Sequence, residues 1–116
     1  MIPFSRADRV GGLVQKVLSD LLQKEIRDPR LIMTTISGVK MSKDLKFARV
    51  YFTILGGDEH KKVDAISGFN SAVGFIKRCL ARELKLRYMP DLKFYYDESY
   101  DHGSHIDRLL KSISEE

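Results

Sequence analysis

A group of basic side chains recurs at helical spacing in the second half of the chain. The stripe is Arg78, Arg82 and Lys85, at i, i+4 and i+7, with Lys77 before it and Arg87 after it. Residues at these spacings share one face of a helix, and Glu83 is the only acid among residues 77–87. Because guanidinium and ammonium groups bind phosphate oxygens, the one-sided stripe predicts a contact with nucleic acid. A solvated helix face is the alternative.

Gly74 lies just before this basic segment, inside a pattern that otherwise predicts a helix. A glycine costs a helix interior about 1 kcal/mol relative to alanine. It can kink the chain, allow close packing on the sheet, or let the backbone of a ligand approach. If the chain bends there, a new helix begins near Gly74, and its first N–H groups form an anion site beside Lys77 and Arg78. Ser71 would lie next to the same bend.

Residues that could catalyse a reaction form no recognisable arrangement. The chain has no nucleophile elbow, Walker loop or glycine-rich dinucleotide turn. Asp97 and Glu98 are adjacent on a predicted strand, so their carboxylates point to opposite faces. His102 and His105 would share a helix face, but Gly103 weakens that helix and no further ligand is nearby. We therefore predict a non-catalytic protein without a metal, a cofactor or a small-molecule substrate.

Composition limits the chain to one globular domain. It has 116 residues, of which 43% are hydrophobic and 31% charged. One cysteine, Cys79, rules out an internal disulfide. No apolar run approaches the roughly 20 residues of a membrane span, and the first residues contain no apolar signal core. We expect a cytoplasmic monomer that does not associate with membranes.

Charge is distributed unevenly along the chain. Residues 1–90 carry a net charge of +8 and residues 91–116 carry −4, which gives the total of +4. A basic body favours a polyanionic partner, most simply nucleic acid. Ordinary scatter of charge on a solvated surface is the alternative.

The first helix is predicted from about Ser5 to Arg27. Apolar residues recur there at i, i+3, i+4 and i+7, which is typical of an amphipathic helix. Ser5 and Asp8 form an imperfect capping box, and Pro29 prevents the helix from continuing.

Two strands joined by a short turn predict a hairpin. Residues 31–41 form the first strand, with a bulge at Ser37-Gly38. Residues 42–45 form the turn, and residues 47–55 alternate between the core and solvent. The residues predicted to face the core are Ala48, Val50, Phe52 and Ile54. The hairpin also carries Lys40, Lys43, Lys46 and Arg49, which form either an RNA-facing edge or charges that prevent the strand edge from pairing with another chain.

Helical patterns follow the hairpin. Asp58 caps a helix whose apolar face is set by Val63, Ile66 and Phe69, and a second pattern uses Ile76, Leu80 and Leu84. Leu92, Phe94 and Tyr96 form the core side of a third strand, and a short helix follows with Ile106, Leu109, Leu110 and Ile113. The prediction is an α+β fold of two layers, with helices on one face of a three-stranded sheet.

Several motifs occur in an order that resembles the ribosome-binding factor A family over nearly the whole chain. They are Arg6-x-x-Arg9-Val10, Asp28-Pro29-Arg30, Val39-Lys40-Met41-Ser42-x-Asp44-Leu45, Ala48-x-Val50-Tyr51, Ala72-x-Gly74-Phe75-Ile76-Lys77, Leu86-Arg87-Tyr88-x-Pro90-x-Leu92-x-Phe94, Asp97-x-Ser99 and Gly103-x-x-Ile106-x-x-Leu109-Leu110. One departure is Lys43, at a position where the family often has proline.

The resemblance implies a type II KH-like domain with the core order α-β-β-α-α(bent)-β. In that family an Ala-x-Gly bend replaces the Gly-x-x-Gly loop of ordinary KH domains, so Ala72 and Gly74 would form the bend between two helices. One domain would span residues 1–116, with a core of about 5–98 and an acidic, helical C-terminal segment of about 99–116.

The resemblance also implies a function. Members are bacterial, non-catalytic assembly factors that bind the immature small (30S) ribosomal subunit, contact 16S rRNA, assist late rRNA processing and are associated with growth in the cold. The residues that we expect to contact RNA are Lys43, Lys46, Ser71, Gly74, Lys77, Arg78, Arg82, Lys85 and Arg87. The alternative is a protein–protein interaction module that binds a basic partner through its acidic C-terminal segment.

Overall fold

The first helix, α1, spans Arg6–Lys24 in the computed structural model, which describes residues 5–99. The predicted capping box is confirmed, since the Ser5 side chain accepts a hydrogen bond from the Asp8 backbone N–H and the Asp8 carboxylate accepts one from the Ser5 N–H. These bonds satisfy two of the N–H groups that every helix start leaves free.

The end of α1 comes three residues before the predicted Arg27. The carbonyl of Leu21 accepts hydrogen bonds from both Glu25 and Ile26, at 2.9 and 2.8 Å, which closes the last turn. A short 3-10 helix, Pro29–Leu31, follows. It is capped by Asp28, which also forms an ion pair with Arg30 at 2.6 Å.

The hairpin is built from β1, Thr34–Met41, and β2, Phe47–Ile54, which pair antiparallel. The predicted bulge is confirmed, since the register shifts between Ile36 and Gly38. The predicted inward residues Ala48, Val50, Phe52 and Ile54 are all buried. In the turn, the Asp44 carboxylate accepts hydrogen bonds from the Ser42 hydroxyl and the Lys46 N–H, and these hold the pKa of Asp44 below its usual value.

The second helix, α2, spans Glu59–Glu83 and is capped by Asp58, as predicted. It runs through Gly74 without a break, so the expectation of two separate helices is wrong, whereas a bend of this one helix at Ala72 and Gly74 stays a prediction. One interior glycine lowers helix stability by only about 1 kcal/mol. Buried Phe69 and Ile76 hold both halves of α2 against the same core. No new helix start with free N–H groups therefore forms at Gly74.

The third strand, β3, spans Asp91–Tyr96 and pairs parallel to β2, as a helical crossover requires. The sheet order is β1-β2-β3, and both helices pack on one face. The two-layer α+β architecture is therefore confirmed, with the core order α-β-β-α-β. The predicted short helix with Ile106, Leu109, Leu110 and Ile113 lies outside the described residues.

The core lies between the two layers. Phe69 of α2 stacks on Phe94 of β3 with ring centroids 4.6 Å apart, and also contacts Phe52 of β2 at 5.1 Å. Val63, predicted to face the core, is 61% exposed, and Ala65 is buried instead. The step of three residues from Val63 to Ile66 and Phe69 falls short of a full turn of 3.6 residues, so the predicted face drifted around the helix.

Candidate nucleic-acid interface

The exposed side of α2 is defined by its buried side. The fully buried positions of α2 are Ala65, Gly68, Phe69, Ile76, Cys79 and Leu80, which all contact the core. Ser71, Gly74 and Arg78 lie on the opposite side at i, i+3 and i+7, and all three are exposed. We refer to Ser71, Gly74 and Arg78 as the α2 face. The structure thus brings together three of the nine residues predicted to contact RNA.

Packing within residues 5–99 does not require a glycine at position 74. A Cβ atom added at Gly74 would meet only Arg78 Nη1, at 3.7 Å, which is an ordinary van der Waals distance. Gly68 shows the contrast, because a Cβ atom there would come within 3.1 Å of the Leu31 side chain. Close packing against the 3-10 helix therefore explains Gly68, and no such contact within residues 5–99 explains Gly74. Of the three explanations for Gly74, a kink of the helix and the approach of a ligand backbone stay predictions.

Arg78 presents an uncompensated positive charge beside that glycine. Within residues 5–99 its guanidinium forms no ion pair and no side-chain hydrogen bond. A guanidinium can donate two parallel hydrogen bonds to a phosphate. The small, open surface at Gly74 leaves room for the sugar-phosphate backbone next to this donor. The α2 face can therefore hold a phosphate without rearranging any contact of the fold.

Asp91 contacts Lys77 through its side chain and Lys46 through its backbone. Lys77 is half-buried, and its Nζ lies 3.5 Å from Asp91 Oδ1. The Asp91 N–H donates a hydrogen bond of 2.9 Å to the carbonyl of Lys46, which places the end of the β1–β2 turn beside α2. Lys43 is exposed on the same turn. Asp91 thus offsets part of the positive charge of Lys77. The two residues are 14 positions apart, and sequence spacing did not indicate that they pair.

Arg82 lies in a groove of mixed charge between α1 and α2. Its Nη2 is 3.7 Å from the Sγ atom of buried Cys79. The groove has a volume of about 210 Å³, and its charged lining residues are Asp20, Lys24, Glu25, Arg82 and Glu83. The groove holds three carboxylates against two cations, so it attracts phosphate less than the surface around Arg78 does.

Lys85 does not continue the stripe. The helix ends at Glu83, and Leu84 takes an extended conformation with φ −116° and ψ 124°. The chain leaves the helix here because Leu84 and Leu86 pack against the core. Lys85 therefore lies in the following loop, and the predicted three-residue stripe reduces to Arg78 and Arg82. Arg87 lies in the same loop, with its guanidinium carbon 5.4 Å from the centre of the Tyr88 ring.

Among residues 5–99, the acidic residue Asp97 holds two parts of the fold together. The Asp97 carboxylate accepts a hydrogen bond of 2.7 Å from the Ser37 hydroxyl, so it helps to tie the end of β3 to the β1 bulge. Among the residues that the structure describes, no group of three His, Cys, Asp or Glu side chains is placed to hold a metal ion. His102 and His105 lie outside that part of the chain. Neither described helix is long and apolar enough to cross a membrane.

Comparisons with known proteins find one family repeatedly. The sequence profile described as ribosome-binding factor A matches residues 6–110. A protein named ribosome-binding factor A from Desulfatibacillum aliphaticivorans is 53% identical over 113 residues, which are 97% of this chain and 91% of that protein.

Solved structures agree. An NMR structure of a Thermotoga maritima protein, titled a putative ribosome binding factor A, has a TM-score of 0.70 and 31% identity, and the match covers 82% of this chain and 90% of that one. A Thermus thermophilus ribosome binding factor A model fitted into a cryo-EM map of a 30S complex has a TM-score of 0.62 and 26% identity, covering 76% of this chain and 91% of that one.

Proposed function

This chain belongs to the ribosome-binding factor A family, and from that premise we propose that it binds the small ribosomal subunit as a non-catalytic assembly factor. The family name and the 30S complex of the Thermus relative support this partner. The proposal includes contact with 16S rRNA of the immature subunit, assistance to late rRNA maturation, action as a monomer, and a place in the cytoplasm.

The observation that carries the proposal is the pairing of Gly74 with Arg78. Gly74 is exposed, and the fold has room for a side chain there. Arg78 extends its charge over the same spot without a partner in the described part of the chain. The glycine lowers helix stability, but it lets the sugar-phosphate backbone of an RNA approach the helix closely. The guanidinium beside it can then bind a phosphate of that backbone.

The mechanism requires no chemical step. Phosphate contacts from Arg78, with weaker help from Arg82, Lys46 and Lys43, fix the orientation of the protein and do not read bases. Specificity then comes from the shape of the RNA and from neighbouring ribosomal proteins. A bound factor favours one rRNA conformation only through its higher affinity for that state. Release follows when maturation removes the favoured conformation.

Co-sedimentation tests the proposal. Purified protein is mixed with immature or mature small subunits across a series of salt concentrations. We expect binding that prefers immature particles and weakens with salt, because phosphate contacts release counterions. Equal or absent binding to both particles, with the protein shown to be folded by circular dichroism, would overturn the proposed function.

The alternative of a protein–protein module depends on the acidic C-terminal segment, most of which lies outside the described residues. Of the acids that make residues 91–116 negative, two that precede this segment are engaged within the fold, Asp91 with Lys77 and Asp97 with Ser37. No contact in residues 5–99 favours this alternative, and we do not propose it.

A further inference from the structure

The sheet surface that faces away from both helices carries basic and aromatic side chains of its own. Side chains alternate along a strand, so buried Val50 and Phe52 leave Arg49 and Tyr51 on the outer side of β2. We refer to this outer side as the sheet face. It lies on the opposite layer from the α2 face, and the function proposed above uses none of its residues.

Three cations form one row across the sheet face. The antiparallel register places Lys40 directly opposite Arg49, and the parallel register places Arg49 opposite Lys93. Adjacent strands lie about 4.8 Å apart, so the backbones of the three residues fall within about 10 Å of one another. Within residues 5–99 none of the three forms an ion pair or a side-chain hydrogen bond.

This cation row is a cost to the isolated fold. Like charges directly opposite each other destabilise a sheet. A bound anion that lies across the row would relieve the repulsion. The row therefore points to an anionic ligand, and the aromatic residues beside it indicate which kind.

Aromatic rings lie on both sides of the cation row. Two residues further along the strands, Tyr51 stands opposite Tyr95 with ring centroids 5.8 Å apart and planes inclined by 31°. The Tyr95 residue is 40% exposed. On the other side of the row, Phe47 is 54% exposed and lies on the same side of β2 as Arg49. The sheet face thus interleaves aromatic faces with positive charge.

We propose that the sheet face binds a single-stranded RNA segment, with a base stacked on Tyr51 and Tyr95 and its phosphates held by Lys40, Arg49 and Lys93. Proteins that bind single strands without sequence preference combine these two features, a cationic track and aromatic stacking platforms. An acidic peptide would use the cations but leave the rings without a role. This second site is separate from the α2 face, so it stands or fails independently of the function proposed above.

Fluorescence anisotropy with a labelled oligouridine in low salt tests the site. Stacking is worth roughly 1–3 kcal/mol per base, so Tyr95→Ala should weaken binding by about 5- to 150-fold. The matched control is Tyr95→Phe, which keeps the ring and should bind within about twofold of the unchanged chain. Circular dichroism melts check that both variants are folded, since a cross-strand pair such as Tyr51–Tyr95 contributes only about 0.2–1 kcal/mol to stability.

A charge variant gives a second test with the labelled oligouridine, in which the salt dependence of binding is measured. Lys93→Gln should flatten the dependence of log affinity on log salt by about 0.7, the contribution of one phosphate contact in a single strand. Tyr95→Phe should leave that slope unchanged. If Tyr95→Ala binds oligouridine as well as Tyr95→Phe does, or if Lys93→Gln leaves the slope intact, the proposal is wrong.

Two comparisons separate this site from its competitors. Displacement of the oligouridine by oligoglutamate as effectively as by unlabelled oligouridine would overturn the proposal, because an acidic peptide offers no bases to stack. Arg78→Ala should change binding to small subunits far more than binding to oligouridine. If unchanged protein fails to bind small subunits but Tyr95→Ala still loses oligouridine, the sheet site stands and the function proposed above fails.

Discussion

The Cβ atom that Gly74 lacks would lie 3.7 Å from Arg78 Nη1, at ordinary contact distance. This distance shows whether folding itself requires a glycine at position 74. The fold accepts a methyl group at Gly74, and a helix favours one. Nothing in residues 5–99 requires a glycine at this position, which fits a need for space at the surface of that part of the fold.

Gly74→Ala should stabilise the protein while weakening its binding. We expect the free energy of unfolding to rise by about 0.5–1 kcal/mol, because alanine has the higher helix propensity and meets no clash. The added methyl group should reduce affinity for immature small subunits, since it occupies the space left for RNA backbone. Urea denaturation and co-sedimentation measure the two effects.

The matched control for that variant is Gly12→Ala. Gly12 is also an exposed glycine within a helix, and a Cβ atom there meets nothing within 4 Å. Its substitution should give a similar stabilisation with unchanged binding. Equal binding by the Gly74→Ala and Gly12→Ala variants would remove Gly74 from the interface.

Arg78→Ala should reduce the salt dependence of binding. Loss of one phosphate contact lowers the slope of log affinity against log salt by about 0.7–0.9. In the double variant Arg78→Ala with Arg82→Ala, the slope should fall by about 1.4–1.8 in total only if Arg82 contacts phosphate as fully as Arg78 does. Because carboxylates share the groove of Arg82, we expect a smaller second step.

Lys61→Ala is the charge-matched control for Arg78→Ala. Lys61 is exposed in the first turn of α2, and the 17 positions between the two residues correspond to about 25 Å of helix. Its removal should leave the slope nearly unchanged. Equal slopes for the Arg78→Ala and Lys61→Ala variants would show that overall charge, and not this surface, governs binding.

Asp91→Asn should tighten binding to RNA. The Asp91 carboxylate lies 3.5 Å from Lys77 Nζ and offsets its charge. An exposed ion pair is worth about 0–1 kcal/mol, so the free energy of unfolding should change little. Filter binding of small subunits at fixed salt gives the comparison. Weaker binding by the Asp91→Asn variant would show that the ion pair holds Lys77 in place for RNA.

Acid should destabilise the fold through carboxylates that accept hydrogen bonds. The Arg30 side chain and its backbone N–H lower the pKa of Asp28, and the N–H of Lys61 lowers the pKa of Asp58. Because the folded pKa lies below the unfolded value near 3.8, this stability is complete above that value and is lost as pH falls through the folded pKa.

Thermal unfolding as a function of pH measures this effect. As far as these two carboxylates determine it, the melting temperature of the protein should stay constant from neutral pH down to about pH 5. It should fall below about pH 4, where the carboxylates become protonated. Asp28→Asn should lower the melting temperature at neutral pH and reduce the fall in acid. A fall of the same size in the Asp28→Asn variant would exclude Asp28 as a contributor.

Local chemistry allowed several elements to be predicted from the sequence alone. The Ser5–Asp8 capping box and the bulge at Gly38 were predicted correctly, because each depends on residues within a few positions of one another. The buried side of β2 was predicted correctly for the same reason, since the alternation is a property of one strand. Prediction failed for Val63 and Lys85, where small errors of helical phase and helix length moved a side chain to another environment.

The surfaces depended on contacts between distant parts of the chain. Sequence spacing identified Gly74 and Arg78, but only the packing of α2 on the core shows that Gly74 is exposed and has room for a methyl group. The pairing of Lys77 with Asp91 follows from the crossover that brings β3 beside β2.

The sequence by itself determined the family, the order of the first helix and the three strands, and which side of each strand is apolar, because motifs, caps and periodicity are local. Only the tertiary structure decided that Lys93 joins Lys40 and Arg49 in one row. That row depends on the register of two strand pairs, one of them parallel and formed across a 25-residue helix. Register is set by how the apolar faces of all three strands pack against the helices, and no short stretch of sequence contains that information.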